Sequence, residues 1–254
     1  MDGSAERRTA LVTGATSGFG RATARRLVAD GWQVIGIGRR AERLEELGEE
    51  LGDRFLGIPL DIRDQAAVAA ALDALPEPFG GIDLLVNNAG TGVGMTLAQQ
   101  SSLEDWMTII ETNVSALAAI THRLLPTLIE RKGAIIFLSS VLATWTYAGS
   151  NVYGATKAFV RQLSLGLRSD LHGSGVRITS VEPGICETEF AFVRTRGDRA
   201  AVEAYYGGMN PLTPEDVANT IAWIASLPPH VNVTSIEVMP TSQSLAGFVV
   251  HRER

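Results

Sequence analysis

Short aliphatic runs alternate with stretches of helical periodicity along most of the chain. Thr9–Val12, Gln33–Ile37, Phe55–Leu60, Ile82–Val86, Ala134–Leu138, Val176–Val181 and Val231–Val238 read as strands, several of them apolar at nearly every position. That is how strands buried on both faces look. Between them the spacing predicts helices running to Ala29, over Ala41–Leu51, from an Asp64 N-cap to Leu75, from Glu104 to about Glu130, over 152–172 and over Pro214–Ser226. Residues 185–212 read as irregular or loosely helical, and PEPFGG at 76–81 as a turn. Strands alternating with helices imply an α/β fold, a doubly wound parallel sheet of about seven strands with helices on both faces. No solenoid-length repeat or low-complexity linker interrupts the pattern. The expectation is one domain over residues 1–254, with a lid at about 185–212 and a C-terminal tail at about 239–254.

In such sheets ligands sit beyond the carboxyl ends of the strands, and the polar and glycine-rich positions cluster there. TGATSGFG at 13–20 leaves the first strand and opens a helix. Gly14, Gly18 and Gly20 let the backbone turn and approach a pyrophosphate, and the helix N-terminus offers free N–H groups. The spacing is G-x-x-x-G-x-G, not the G-x-G-x-x-G of the common dinucleotide fingerprint. After the second strand stand Arg39 and Arg40, where an acidic residue would favour NAD. They suit a 2′-phosphate, and so NADP(H), or are a solvated basic pair. Asp61 suits the adenine edge and Asn87 the region nearer the nicotinamide, or both are strand-end turn formers.

The remaining strand ends carry candidate chemistry. Tyr153 and Lys157 are i and i+4 on the 152–172 helix, beside an apolar stripe of Val152, Ala155, Phe159, Leu163, Leu167 and Leu171. A phenol holds its proton until about pH 10. An ammonium about 4 Å away, at an effective dielectric of ~20, favours the phenolate by about 4 kcal/mol before solvent screening. The expectation is a Tyr153 pKa lowered by Lys157, fit for exchanging a proton with an alcohol or carbonyl, with Ser140 holding the same oxygen. Asn113 lies in the apolar stripe of the long helix with Trp106, Ile110, Leu117 and Leu124. It is either a structural amide or part of the site. Arg194, in the loop that also carries Arg196 and Arg199, is an anchor for a carboxylate or a solvated arginine. FAFV at 190–193 should pack over the site. Trp145 and Tyr147 wall the pocket or cap the core.

Composition removes other readings. Of 254 residues, 45% are apolar and 20% charged, and the net charge of −6 comes with no long basic run, so nucleic acid is not an expected partner. No membrane-length apolar segment or signal peptide stands out. The one cysteine, Cys186, forbids an intrachain disulfide and fits a reducing cytoplasm. It reads as packing rather than chemistry. His122, His172, His230 and His251 read as surface or terminal, and no metal is expected.

TGATSGFG, NNAG at 87–90, Asn113, Ser140, Tyr153, Lys157 and Pro183-Gly184 with Thr188 together resemble the short-chain dehydrogenase/reductase family, in order and spacing over nearly the whole chain. The resemblance implies a Rossmann fold, a nicotinamide cofactor and carbonyl–alcohol interconversion. It implies an Asn113, Ser140, Tyr153 and Lys157 tetrad. In it Tyr153 is acid or base, Lys157 also holds the nicotinamide ribose, Ser140 polarises the carbonyl and Asn113 relays protons. Thr16, Ser17, Phe19, Ile62, Ala89, Gly90, Ile185 and Thr188 join the cofactor residues, Thr188 toward the carboxamide. Within the family, GRRAERLEEL at 38–47, NVYGATKAFVRQ at 151–162, LTPEDV at 212–217 and VMPTSQSLAGFVVHR at 238–252 are similar to NADP-dependent 3-hydroxy acid dehydrogenases. These act on serine, allo-threonine and 3-hydroxypropionate and are homotetramers, a state that the apolar LAGFVV at 245–250 also suits. GICETEF at 184–190 is shorter than in some members, so the lid is where the resemblance is thinnest. Another small aldehyde such as sulfoacetaldehyde, or a ketone, is an alternative substrate. A nucleotide sensor without turnover is the remote alternative, which the intact Ser140, Tyr153 and Lys157 set opposes.

Overall fold

The computed structural model describes residues 8–245 and residue 250. Of the 245–250 tail, residues 246–249 lie outside the described residues, as does His251. The chain runs β1 (Thr9–Thr13), α1 (Gly18–Ala29), β2 (Gln33–Gly38), α2 (Ala41–Leu51), β3 (Phe55–Pro59), α3 (Gln65–Asp73), β4 (Ile82–Asn87) and α4 (Leu103–Ile110). It continues through α5 (Leu117–Glu130), β5 (Ala134–Leu138), α6 (Asn151–Asp170), β6 (Arg177–Pro183), α7 (Glu189–Arg194), α8 (Arg199–Tyr206), α9 (Pro214–Ser226) and β7 (Ser235–Val238). The strands form one parallel seven-stranded sheet in the order β3-β2-β1-β4-β5-β6-β7. The order reverses between β1 and β4, which opens a crevice at their carboxyl ends.

Alternation along the strands divides the core. Ala10, Val12, Val34, Val86 and Ile136 face Ala24 and Leu27 of α1, Leu44 and Leu47 of α2, and Ile221 of α9. Leu11, Ile35, Leu85, Ile135 and Phe137 face Val68 of α3, Ile120 and Leu124 of α5, and Val160 of α6. Fully burying one such side chain contributes about 1.5–3 kcal/mol, so both layers hold the strand ends in place.

Three departures from the sequence expectation have local causes. The 231–238 strand shrinks to Ser235–Val238 because Asn232 substitutes its side chain for backbone. Its amide accepts from Ile178 N at 2.7 Å and donates to Ile178 O at 3.0 Å. The 104–130 helix is broken by a π-helical turn, Glu111–Ala116, centred on Asn113. Such turns insert a residue and rotate the face beyond it. On α6 the buried face is Tyr153, Thr156, Lys157, Val160 and Ser164; of the expected stripe, Leu163, Leu167 and Leu171 pack against the core while Ala155 and Phe159 point outward. The polar residues took the inner face because hydrogen bonds wait for them there.

Gly20 belongs to this architecture. A Cβ on it would stand 2.3 Å from Gly14 O and 2.5 Å from Asn88 Nδ2. Gly20→Ala should cost about 1–3 kcal/mol, the usual penalty of overpacking. Urea denaturation checks this, and an unchanged midpoint would show that the loop yields freely.

Candidate active site

A cleft of about 940 Å³ lies over the carboxyl ends of the strands. One end is lined by the glycine loop. Gly14 and Gly18 hold positive φ angles of 71° and 48°, a conformation that glycine adopts without a Cβ penalty. Ser17 occupies the N-cap of α1 without a side-chain capping bond, so the first N–H groups of the helix are left to face an anion. Arg39 is exposed and makes no hydrogen bond or ion pair among the described residues. Its positive charge helps to hold the Asp61 carboxyl below its usual range, behind the direct Arg63 hydrogen bond. A glycine cradle, free N–H groups and an unpaired guanidinium fit a phosphorylated dinucleotide.

Every residue nominated for the cofactor lines this cleft except Gly20 and Asn87. Asn87 is buried and donates to Thr121 Oγ1 at 2.9 Å. A strand's side chains alternate, and the cleft side falls to Asn88 instead. Its amide donates to Thr13 O at 2.7 Å and its N–H to Thr13 Oγ1 at 3.0 Å, tying the β4 end to the glycine loop. Arg40 is largely engaged: it donates to Thr16 Oγ1 at 3.0 Å and to Glu189 at 2.8 Å. Arg43 reaches the same carboxylate at 2.5 Å. Arg43 went unmarked in the sequence reading, although it lies one helical turn beyond Arg40. Glu189, from a distant part of the chain, was not legible.

Ser140, Tyr153 and Lys157 converge in the middle of the cleft. Ser140 leaves β5 extended, accepts from Leu142 N at 3.1 Å and lies close enough to the Tyr153 hydroxyl to favour its phenolate. Lys157 is buried and donates to Leu138 O at 2.7 Å, with its Nζ 5.7 Å from the centre of the Tyr153 ring. Ser139, unremarked in the sequence, bonds Lys157 O at 2.8 Å and stitches β5 to α6. The expected fall in the Tyr153 pKa is not what the protein alone produces. Burial pushes the phenol above its ordinary value, Tyr147 adds to this, and the Ser140 hydrogen bond and Arg194 charge pull back. Burial likewise pulls Lys157 down to about 8. Desolvation outweighs the neighbouring charge because the ammonium turns to the Leu138 carbonyl rather than to the phenol.

Asn113 does not line the cleft but stands directly behind it. Its amide accepts from Thr91 N at 2.8 Å and donates to Thr91 O at 3.0 Å and to Thr156 Oγ1 at 3.0 Å. It thus ties the turn after β4 to α6. A Cβ on Gly90 would lie 3.3 Å from both Asn113 Oδ1 and Lys157 Nζ, so the two side chains meet around that glycine.

Residues 185–212 fold over the cleft. The base of this segment is pinched by Glu187 N to Leu212 O at 2.8 Å and Leu212 N to Ile185 O at 3.0 Å. Thr188 caps α7, accepting from Phe190 N. Phe190 lies against the Tyr153 ring, centroids 5.3 Å apart, as the 190–193 run led one to expect. Arg196 pairs with the buried carboxylate of Asp105 at 2.6 Å. Arg194 instead points into the cleft, 5.6 Å from the centre of the Tyr147 ring and 5.1 Å from that of Tyr205. Arg199 is exposed and Trp145 lies outside the cleft lining. Tyr205 and Gln243, whose Oε1 accepts from Ile185 N at 2.7 Å, are further cleft residues that the sequence pattern did not mark. Burial pushes the Cys186 thiol up to about 12, in keeping with a packing role. No group of His, Cys, Asp or Glu among the described residues has metal-binding geometry.

A nucleotide cradle on a doubly wound sheet, with a buried tyrosine–lysine pair at its centre, defines an oxidoreductase of Rossmann type. The comparisons agree. Residues 8–197 match the short chain dehydrogenase family, and the chain belongs to that family. It is 60% identical to serine 3-dehydrogenase of Agrobacterium fabrum over 96% of this chain and 98% of the relative. It is 51% identical to the NADP-dependent 3-hydroxy acid dehydrogenase of Escherichia coli K12 over 96% and 99%. Among solved structures, a closed form of serine dehydrogenase complexed with NADP+ superposes with a TM-score of 0.92 at 50% identity, covering 96% of this chain and all (100%) of that one.

Lys157 makes a sign-definite prediction. Its folded pKa of about 8 lies below the unfolded value of 10.5. From pH 8 upward the unfolded chain therefore keeps a proton that the folded chain sheds, and stability rises with pH. The raised Tyr153 and Cys186 values act in the opposite sense only above their ordinary values of 10.0 and 9.0. Between about pH 8 and pH 9 the wild type should gain roughly 1 kcal/mol relative to Lys157→Met. Denaturation curves across that interval check it, and a constant gap would show that the ammonium is not desolvated.

Proposed function

We propose that the protein is an NADP-dependent dehydrogenase of small 3-hydroxy acids, interconverting the alcohol and its carbonyl form. The observation that carries the acid part is Arg194. It is a cation lining the cleft beside Tyr153, with no ion pair to a carboxylate among the described residues. A guanidinium so placed can bind a carboxylate through two parallel N–H bonds. The names of the relatives, serine 3-dehydrogenase and NADP-dependent 3-hydroxy acid dehydrogenase, support the same substrate class.

NADP(H), when bound, accepts or supplies the hydride. The chain's residues do the rest. The glycine loop and the α1 N-terminus receive the pyrophosphate, and Arg39, with what Arg40 has left to donate, receives the 2′-phosphate. Asp61 and Ile62 border the adenosine end, while Ala89, Gly90, Pro183, Gly184, Ile185 and Thr188 border the nicotinamide end. Ser140 donates to the substrate oxygen. In reduction Tyr153 gives its phenolic proton to that oxygen, and in oxidation it takes the proton back. Lys157 holds the ribose and stabilises the phenolate while it lasts, and Asn113 supports the relay behind it. Tyr147 borders the substrate beside Arg194.

The wider setting follows the same reading: a cytoplasmic enzyme of small anionic substrates, assembled as a homotetramer. Exposed Met107, Phe159 and Trp223 on α4, α6 and α9 support association of copies. No helix among the described residues is long and apolar enough to cross a membrane.

Turnover of 3-hydroxypropanoate, L-serine, a sulfonate analogue and propane-1,3-diol with NADP+ tests the substrate class. The acids should lead in kcat/KM, and a leading diol would reject it. Tyr153→Phe should lower kcat by at least about 100-fold, the scale of general acid–base catalysis, with NADPH affinity retained. Arg39→Ala should weaken NADPH about tenfold or more and NADH little. Equal losses for both cofactors would remove the 2′-phosphate from Arg39.

A further inference from the structure

Arg194 is held in an unusual way for a guanidinium in a cleft. Its carbon lies over two tyrosine rings, Tyr147 from the loop after β5 and Tyr205 from α8. Both distances fall within the roughly 6 Å at which an aromatic face attracts a cation. Tyr205 itself is steadied from behind, because its neighbour Tyr206 packs edge-on against it, with ring centroids 5.0 Å apart. The Tyr206 hydroxyl donates to Cys186 O at 2.8 Å, which fixes the end of α8 to the pinched base of the lid. Nearby Arg196 shows the other way of holding an arginine, an ion pair with Asp105.

The difference has a consequence. A carboxylate would orient Arg194 but would also occupy its N–H donors and cancel its charge. A substrate acid would then have to displace it. An aromatic ring holds the cation through the plane and leaves the edge donors and the charge available. It also removes rotamer freedom that a long side chain would otherwise lose on binding.

We propose that Tyr205 is a positioning residue for substrate selection: with Tyr147 it clamps the Arg194 guanidinium, and so sets where the substrate's acid group lies relative to Ser140 and Tyr153. The inference rests on the reading of Arg194 as the acid anchor. It adds that the anchor is made on the lid by α7 and α8 together, so acid specificity depends on a residue that need not touch the substrate. The ring is the working part, so phenylalanine should replace tyrosine at this position and an aliphatic residue should not.

The test is steady-state kinetics of wild type, Tyr205→Leu, Tyr205→Phe and Arg194→Gln with NADP+, using 3-hydroxypropanoate or L-serine, whichever the wild type turns over, beside propane-1,3-diol. Tyr205→Leu should raise KM for the acid about tenfold, the size of one lost cation–π contact in a partly desolvated site. Its kcat and its KM for the diol should stay within about twofold of wild type, since only binding of the acid group is affected. Tyr205→Phe should keep the acid KM within about twofold. Tyr205 is half-buried on the lid; should Tyr205→Leu not fold, Tyr205→Met removes the ring with the same expected rise in acid KM. Equal losses in Tyr205→Phe and Tyr205→Leu, or equal effects on acid and diol, would overturn the clamp. If Arg194→Gln raises the acid KM and Tyr205→Leu does not, the clamp alone falls. If Arg194→Gln leaves the acid KM unchanged, or the wild type turns over neither acid, the anchor falls and the clamp with it.

Discussion

A buried ammonium that has no carboxylate beside it governs this site. Lys157 is 5% exposed and its Nζ is held by one carbonyl, that of Leu138. Desolvation without a counter-charge is costly, and it shows as a lysine pulled down to about 8. The same burial raises the neighbouring phenol of Tyr153. Each group is therefore strained in its charged form by burial. Asn113 holds the turn at Thr91, where only a glycine at position 90 leaves room beside Lys157 without a close contact.

The rest of the fold supplies the conditions for that arrangement. The parallel sheet places β1, β4, β5 and β6 so that their carboxyl ends open into one crevice, with α6 delivering Tyr153 and Lys157 from its buried face. The lid closes the other side, with Phe190 on the Tyr153 ring. Two ion-paired contacts tie the lid across the cleft, Glu189 to Arg40 and Arg43, and Arg196 to Asp105. The first of them joins the lid to arginines at the start of α2. The lid and the cofactor cradle are thereby parts of one structure.

Periodic features were legible in the sequence and pairwise ones were not. The seven strands, the glycine loop and the i, i+4 relation of Tyr153 to Lys157 follow from spacing, and spacing survives without coordinates. The face of α6 survived only in its second half, where Leu163, Leu167 and Leu171 pack on the core; in the first half Ala155 and Phe159 lie outward while Tyr153, Thr156 and Lys157 are buried. Asn87 and Asn88 show the same limit: adjacent asparagines at a strand end differ only in which side of the sheet they face. Glu189 and Tyr205 carry no local mark, since their partners lie far along the chain or on another helix. The direction of the Tyr153 shift was misjudged for a related reason. Coulomb attraction can be estimated from spacing, but desolvation depends on everything packed around the group.

The most direct measurement is the ionisation of Tyr153 itself, followed by carbon NMR of ring-labelled tyrosine, with Tyr153→Phe assigning the resonance, in the protein alone and saturated with NADP+. The protein alone should show the phenol above the ordinary tyrosine value of about 10. With NADP+ bound, whose nicotinamide ring is cationic, the phenol should titrate below that value, within reach of neutral pH. A Tyr153 that stays above about 10 in the complex would contradict its role as the proton-exchanging group.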